Sequence, residues 1–178
     1  MATPSKQTTD VETQASSDEM RTKLLAILKD SRTVLLLSHG ADNKIAGRPM
    51  GLVKADDDAT LYLVTGMDSK KVDEMLRSPR VSIAAQNGSG TVMLDGTVRI
   101  SQDRALIDKL WEDSWKPYFP EGKSDPNIAV LIVDSHEGVF WEGGIAHGIS
   151  YLWRHVKARL KGEEIEIKST DQQKVDLR

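Results

Sequence analysis

The sequence predicts a mainly β fold, an antiparallel barrel of about six strands with peripheral helices, and three observations predict it. Thr33-Val34-Leu35-Leu36-Leu37-Ser38 is a continuous apolar run of strand length, the signature of a buried strand. Val81, Ile83 and Ala85, then Val92, Leu94, Gly96, Val98 and Ile100, alternate on either side of Asn87-Gly88-Ser89-Gly90, which reads as a hairpin. Neighbouring strands are joined by short turns, and the helices are few. That pattern favours an antiparallel barrel over a parallel sheet.

The elements follow in chain order. Residues 1–16, rich in Thr, Ser, Gln and Asp, read as a disordered lead-in. Ser17-Asp18 offers an N-cap to a helix with Leu24, Leu25, Ile27 and Leu28 as its apolar stripe, ending near Asp30-Ser31. Residues 48–54 and 60–65 are strands joined by Ala55-Asp56-Asp57-Asp58, an acidic turn that cannot sit inside. Ser69 caps a short helix with Val72, Met75 and Leu76 on one face, and Ser78-Pro79 stops it. Residues 103–111 read as a helix with Leu106, Ile107 and Leu110 inward, and 114–127 as a packed loop. Residues 128–133 and 138–141 complete the strands. An amphipathic helix over 151–160 precedes a charged, mobile tail at 163–178. One domain over 17–162 is expected, without internal repeats.

Composition narrows the function. A chain of 178 residues suits a single core. Its net charge of −3 argues against nucleic acid, whose backbone needs a basic face. There is no cysteine, so disulfides, thiolate metal sites and a cysteine nucleophile are excluded. Residues 1–20 lack the apolar core of a secretory signal and no run reaches membrane-spanning length. A cytoplasmic protein that binds neither membrane nor nucleic acid is the expectation. His39, His136, His147 and His155 have no metal-ligand spacing, so no metal site is expected. Ser38 and His39 are adjacent in a strand and point to opposite faces, which rules them out as a nucleophile and base pair. Gly88-Ser89-Gly90 lacks the third glycine and the following helix of a dinucleotide fingerprint.

The densest chemistry lies in Arg48-Pro49-Met50-Gly51-Leu52-Val53 and Thr65-Gly66-Met67-Asp68-Ser69-Lys70-Lys71-Val72. Read as strand, turn, strand and helix, these bring one arginine, two lysines, a hydroxyl and the open amides of a helix start toward one place. A guanidinium gives forked donors, an ammonium a point charge, and a helix start free N–H groups with the positive end of the dipole. Such a set holds a phosphate. The same spacing also suits a solvated basic helix start beside an unrelated arginine.

The order of segments resembles the FMN-binding split-barrel superfamily that includes pyridoxamine 5'-phosphate oxidase, and within it the general stress protein 26 branch. The resemblance rests on Arg48-Pro49-Met50, Leu61-Tyr62-Leu63-Val64-Thr65, Ser69-Lys70-Lys71-Val72, Arg80-Val81-Ser82-Ile83, Leu94-Asp95-Gly96-Thr97-Val98, Leu110-Trp111, Tyr118-Phe119-Pro120-Glu121-Gly122 with Asp125-Pro126, and Phe140-Trp141-Glu142-Gly143. It spans about residues 20 to 160 and implies a six-stranded antiparallel FMN-binding split barrel. It further implies that Arg48, Ser69, Lys70 and Lys71 hold the FMN phosphate. Main-chain groups of Pro49, Met50, Gly51, Leu52 and Val53, with those of Val64 and Thr65, would border the ring. Trp141 matches an aromatic that reaches the flavin across a homodimer interface. FMN is the implied cofactor, with FAD or another flavin as the alternative and a deazaflavin or haem as a weaker one. Two functions follow: a flavin-dependent oxidoreductase using a nicotinamide nucleotide as reductant, or a non-catalytic flavin-binding or flavin-sensing stress protein. The oxidases carry an Arg-x-His motif where this chain reads Gly143-Gly144-Ile145-Ala146-His147-Gly148. Pyridoxamine-phosphate oxidation is therefore not expected, and no residue stands out as an obligatory acid or base.

Overall fold

The computed structural model describes residues 6–40, 44–142 and 172–177. Helix α1 (Lys6–Lys29) precedes strands β1 (Thr33–His39), β2 (Ile45–Ala55) and β3 (Thr60–Gly66). Helix α2 (Lys70–Arg77) leads into β4 (Arg80–Asn87) and β5 (Gly90–Ser101). Helix α3 (Arg104–Leu110) is followed by β6 (Ile128–Glu142) and β7 (Gln172–Asp176). All pairings are antiparallel in the order β3-β2-β1-β4-β5-β6-β7, and β3 also pairs with β6, which closes the first six strands into a barrel.

Alternation fills the barrel. Val34 and Leu36 of β1, Leu61 and Leu63 of β3, Val81 and Ile83 of β4, Val92 and Leu94 of β5, and Leu131 and Val133 of β6 meet in one buried cluster, joined by Leu24, Leu25, Ile27 and Leu28 of α1. The other face of β6 is covered too: Ile128, Val130 and Ile132 pack with Ile107 and Leu110 of α3 and with Trp115 and Phe119. Both faces of β6 are buried over residues 128–133, and that stretch reads as an unbroken apolar run rather than an alternating one. At the hairpin between β4 and β5, the Asn87 side-chain oxygen accepts from the N–H groups of Ser89 and Gly90, which fixes the turn. Asp103 caps α3, its carboxylate accepting from Ala105 and Leu106.

Four expectations change. Helix α1 begins at Lys6, so residues 6–16 are helical and Ser17-Asp18 lies inside the helix instead of capping it. The segments at 128–133 and 138–141 form one 15-residue strand, whose first half pairs with β3 and whose end, residues 137–141, pairs with β7. Of the tail expected over 163–178, residues 163–171 and 178 lie outside the described residues, whereas 172–176 are β7, and Val175 and Leu177 are buried in the main core. Their burial offsets the cost of ordering a polar segment, each fully buried aliphatic side chain contributing about 1.5–3 kcal/mol. On α2, Val72 and Met75 are buried as expected but Leu76 is 64% exposed, and Glu74 takes a buried place instead. The helix expected over 151–160 and the segment 143–150 lie outside the described residues.

Candidate functional site

Strand β2 changes partner along its length, and this opens the site. Residues 45–51 pair with β1, from Ile45 opposite His39 to Gly51 opposite Thr33. From Leu52, opposite Leu63, it pairs with β3. Beyond that point β3 continues through Val64, Thr65 and Gly66 against β6. The two strands separate, and a cleft of about 670 Å³ lies between them. Residues 49–53 and 64–66 wall it, together with Lys71 and with Trp115, Tyr118 and Phe119 from the segment after α3. Arg32, Glu112 and Ser114 complete the lining. Along 49–51 one edge of β2 belongs to no ladder, so alternate main-chain groups there need a partner from outside the sheet.

A second set of contacts fixes the turn that leads into α2. Asn127, just before β6, accepts from the Asp68 N–H at 3.1 Å, donates to the Asp68 carboxylate at 3.0 Å, and accepts on its own carbonyl from Met67 at 2.7 Å. At Gly66 a Cβ would sit 2.8 Å from Asp68 Oδ1 and 2.9 Å from Asn127 Nδ2, so a side chain there would make this pair shift. The loop at 125–127 thereby sets where Ser69 and Lys71 stand. Ser69 occupies the N-cap position with extended backbone, but its side chain does not cap the helix as expected. Its hydroxyl instead lies 3.2 Å from the Thr65 hydroxyl, which also accepts from Lys71 Nζ at 2.8 Å.

Beneath α2 lies a buried ion pair. Arg48 shares a face of β2 with buried Met50, and its Nη2 donates to Glu74 Oε2 at 2.6 Å. Ser38 of β1 donates to the same oxygen at 2.9 Å. The Arg48 hydrogen bond holds the Glu74 carboxyl below the usual carboxylate range despite burial, which works the other way. Arg48 Nη1 is buried and has no hydrogen-bond partner among the described residues. Burial, and after it the positive charge of Arg48, push the Lys71 ammonium below the usual lysine value. An unmet guanidinium donor and a partly desolvated ammonium that repel one another favour a nearby anion.

The structure brings most of the residues named from sequence to this place. Pro49, Met50, Gly51, Leu52, Val53, Val64, Thr65 and Lys71 line the cleft. Arg48 and Ser69 do not line it: Ser69 touches the lining residue Thr65, while Arg48 pairs with Glu74, which is off the lining as well. Lys70 is exposed and off the cleft wall. Trp141 is also off it: it stands near the far end of β6, opposite Thr91 and Gln172, because β6 runs on past the half that pairs with β3. His39 sits in a separate hollow with Arg80, Asp95 and His136. Sequence reasoning missed Glu74, Ser38, Trp115 and Phe119. The four-residue spacing of Trp111, Trp115 and Phe119 was a usable signal for an apolar wall, whereas nothing local announced that Glu74 would find Arg48. Among the described residues no group of three or more His, Asp or Glu is placed to hold a metal.

The arrangement can hold a phosphorylated compound whose apolar part lies in the cleft, and the comparisons agree with the fold that builds it. No curated protein matches the chain. Among solved structures, a Clostridium acetobutylicum protein related to general stress protein 26 of the pyridoxinephosphate oxidase family is similar over 70% of this chain and 89% of its own, at 21% identity and TM-score 0.63. General stress protein 26 from Bacillus anthracis is similar over 68% and 92%, at 23% identity and TM-score 0.62. The general stress FMN/FAD binding protein of Xanthomonas citri is similar over 71% and 88%, at 24% identity and TM-score 0.58. These likenesses show a shared split-barrel fold. The sequence pattern of one family covers residues 19–166, from within α1 past the end of β6. On that match, this chain belongs to the pyridoxamine 5'-phosphate oxidase-like family.

Proposed function

We propose that this protein binds FMN in the cleft between β2 and β3 and serves as a cytoplasmic, general-stress-type flavin-dependent oxidoreductase. The observation that carries the proposal is the unmet Arg48 Nη1 donor beside the desolvated Lys71 ammonium, next to an apolar slot. The fit is chemical. Arg48, Lys71 and the Ser69 hydroxyl offer charge-assisted and neutral donors to a phosphate, with exposed Lys70 adding charge. Met50, Leu52, Val53, Val64, Trp115 and Phe119 offer an apolar wall to a ring, while the open edge of β2 at 49–51 offers main-chain groups to its polar rim. FAD or another flavin uses the same phosphate donors, and the likeness to an FMN/FAD binding protein keeps that alternative in view.

Bound, a flavin supplies hydride and single-electron chemistry that no side chain can. The chain's own part is to orient it, to exclude water with Trp115 and Phe119, and to leave Glu112 and Arg32 at the lining to meet a second reactant. A nicotinamide nucleotide is the proposed reductant. The homodimer reading is supported by the outer face of β1 and β2, where Leu35 is 41% and Ile45 70% exposed, an apolar surface that a second copy would cover.

The test is the absorption spectrum of the purified protein, followed by anaerobic mixing with NADH or NADPH. A yellow protein that bleaches within seconds supports the oxidoreductase. A yellow protein that both nucleotides leave oxidised supports the second reading, a non-catalytic flavin-binding stress protein. A colourless protein that takes up no added flavin contradicts both.

A further inference from the structure

The feature that the flavin reading does not absorb is the carboxylate. Glu74 is buried, stays ionised, and lies against the arginine that would meet a phosphate. On charge alone it is misplaced, since a negative group there opposes an incoming anion. Its geometry says otherwise. A guanidinium has five N–H donors in a rigid plane. Glu74 Oε2 engages Nη2 at 2.6 Å and leaves Nη1 without a partner in a buried position. The carboxylate is itself tethered, through Ser38 Oγ at 2.9 Å, to β1, so that three elements, β1, β2 and α2, fix the plane of the guanidinium.

We infer that Glu74 is a positioning residue, which together with Ser38 holds the Arg48 guanidinium in place behind the phosphate site of the flavin. This rests on the phosphate-site reading above. The competing role is a latch, in which Glu74 occupies Arg48 until a phosphate displaces it. The two roles give opposite signs. Removing a latch tightens phosphate binding, and so does removing a bare negative charge. Removing a positioning group loosens it although a negative charge has gone. A purely structural role, in which α2 is merely seated on the barrel, changes binding of any flavin alike. The ratio of FMN to riboflavin affinity is therefore the informative readout, because riboflavin has the same ring and no phosphate.

The experiment titrates FMN and riboflavin into full-length protein stripped of flavin, by quenching of flavin fluorescence, for the unsubstituted chain and for Glu74→Ala, Glu74→Gln and Ser38→Ala. With Glu74→Ala, FMN affinity is expected to fall at least tenfold and riboflavin affinity to stay within twofold. Glu74→Gln keeps an acceptor in place without the charge, so it is expected to restore FMN affinity to the unsubstituted level or above. Should Glu74→Ala not fold, Ser38→Ala carries the test: a loss of threefold or more confined to FMN supports positioning, and no loss overturns it. Tighter FMN binding in Glu74→Ala, or equal losses for FMN and riboflavin, overturns the inference. Equal affinity of the unsubstituted protein for FMN and riboflavin defeats the phosphate-site reading instead, and is recognisable because no variant is needed to see it.

Discussion

Arg48 and Glu74 form a buried ion pair at 2.6 Å between β2 and α2, with side chains 19% and 7% exposed. Breaking such a pair from one side leaves a charge stranded in the interior, which costs more than the pair contributes. Arg48→Ala is expected to lower unfolding free energy by up to about 3–5 kcal/mol, the partial exposure of Arg48 pulling toward the low end. Chemical denaturation at neutral pH measures it. The pH dependence has a definite sign. The carboxyl of Glu74 is held below its ordinary value when folded. Its stabilisation is therefore complete above the unfolded-state value and is lost as pH falls through the folded-state value. The unsubstituted protein should lose stability on acidification through this range, and Arg48→Ala should lose less.

Lys71 predicts the opposite limb. Burial and Arg48 lower its proton affinity in the flavin-free protein. FMN affinity should weaken as pH rises through that depressed value, below the range in which an exposed lysine titrates. Riboflavin affinity should not share this loss, and Lys71→Arg, whose guanidinium stays charged, should carry FMN binding to higher pH. Titrations of both flavins across the alkaline range decide it. An identical fall for FMN and riboflavin would place the titrating group elsewhere.

The short strand β7 is expected to matter for stability out of proportion to its length. Val175 and Leu177 are buried with the main core, and the Leu177 N–H donates to the His136 carbonyl at 3.0 Å. Ending the chain at residue 171 should lower the thermal midpoint, and Leu177→Ala alone should cost about 2–5 kcal/mol, toward the lower end near a terminus. Unchanged melting after truncation would show that β7 adds nothing to the folded barrel.

Gly66 joins the fold to the site. A side chain there meets the Asp68 and Asn127 pair that fixes the turn before α2. Gly66→Ala is expected to push Ser69 and Lys71 from their places and to weaken FMN binding more than it lowers the melting point. Near-normal FMN affinity in that variant would mean that the turn tolerates the shift.

The strands were legible because their cause is local: alternation in β4 and β5, a turn sequence at Asn87-Gly88-Ser89-Gly90, and the acidic loop between β2 and β3. The cleft walls at 49–53 and 64–66 were reached by resemblance, and the parting of β2 from β3 explains why that stretch is the exposed one. Residues 6–16 of α1 were not legible, since they carry helix without an apolar stripe. Nor was β7, a polar strand in which Val175, with Leu177 just after it, is buried in the main core. Glu74 escaped for a related reason. A helical glutamate is ordinarily solvated, and the arginine that permits its burial is 26 positions away in sequence.

The most direct test of flavin binding through a phosphate is calorimetric titration of FMN and riboflavin into flavin-stripped protein at neutral pH. Two charge-assisted contacts at about 1.5–3 kcal/mol each correspond to roughly two to four orders of magnitude in affinity. FMN should bind more tightly than riboflavin by at least a hundredfold. Equal affinity for the two, or no binding of either, would contradict a phosphate site at Arg48 and Lys71.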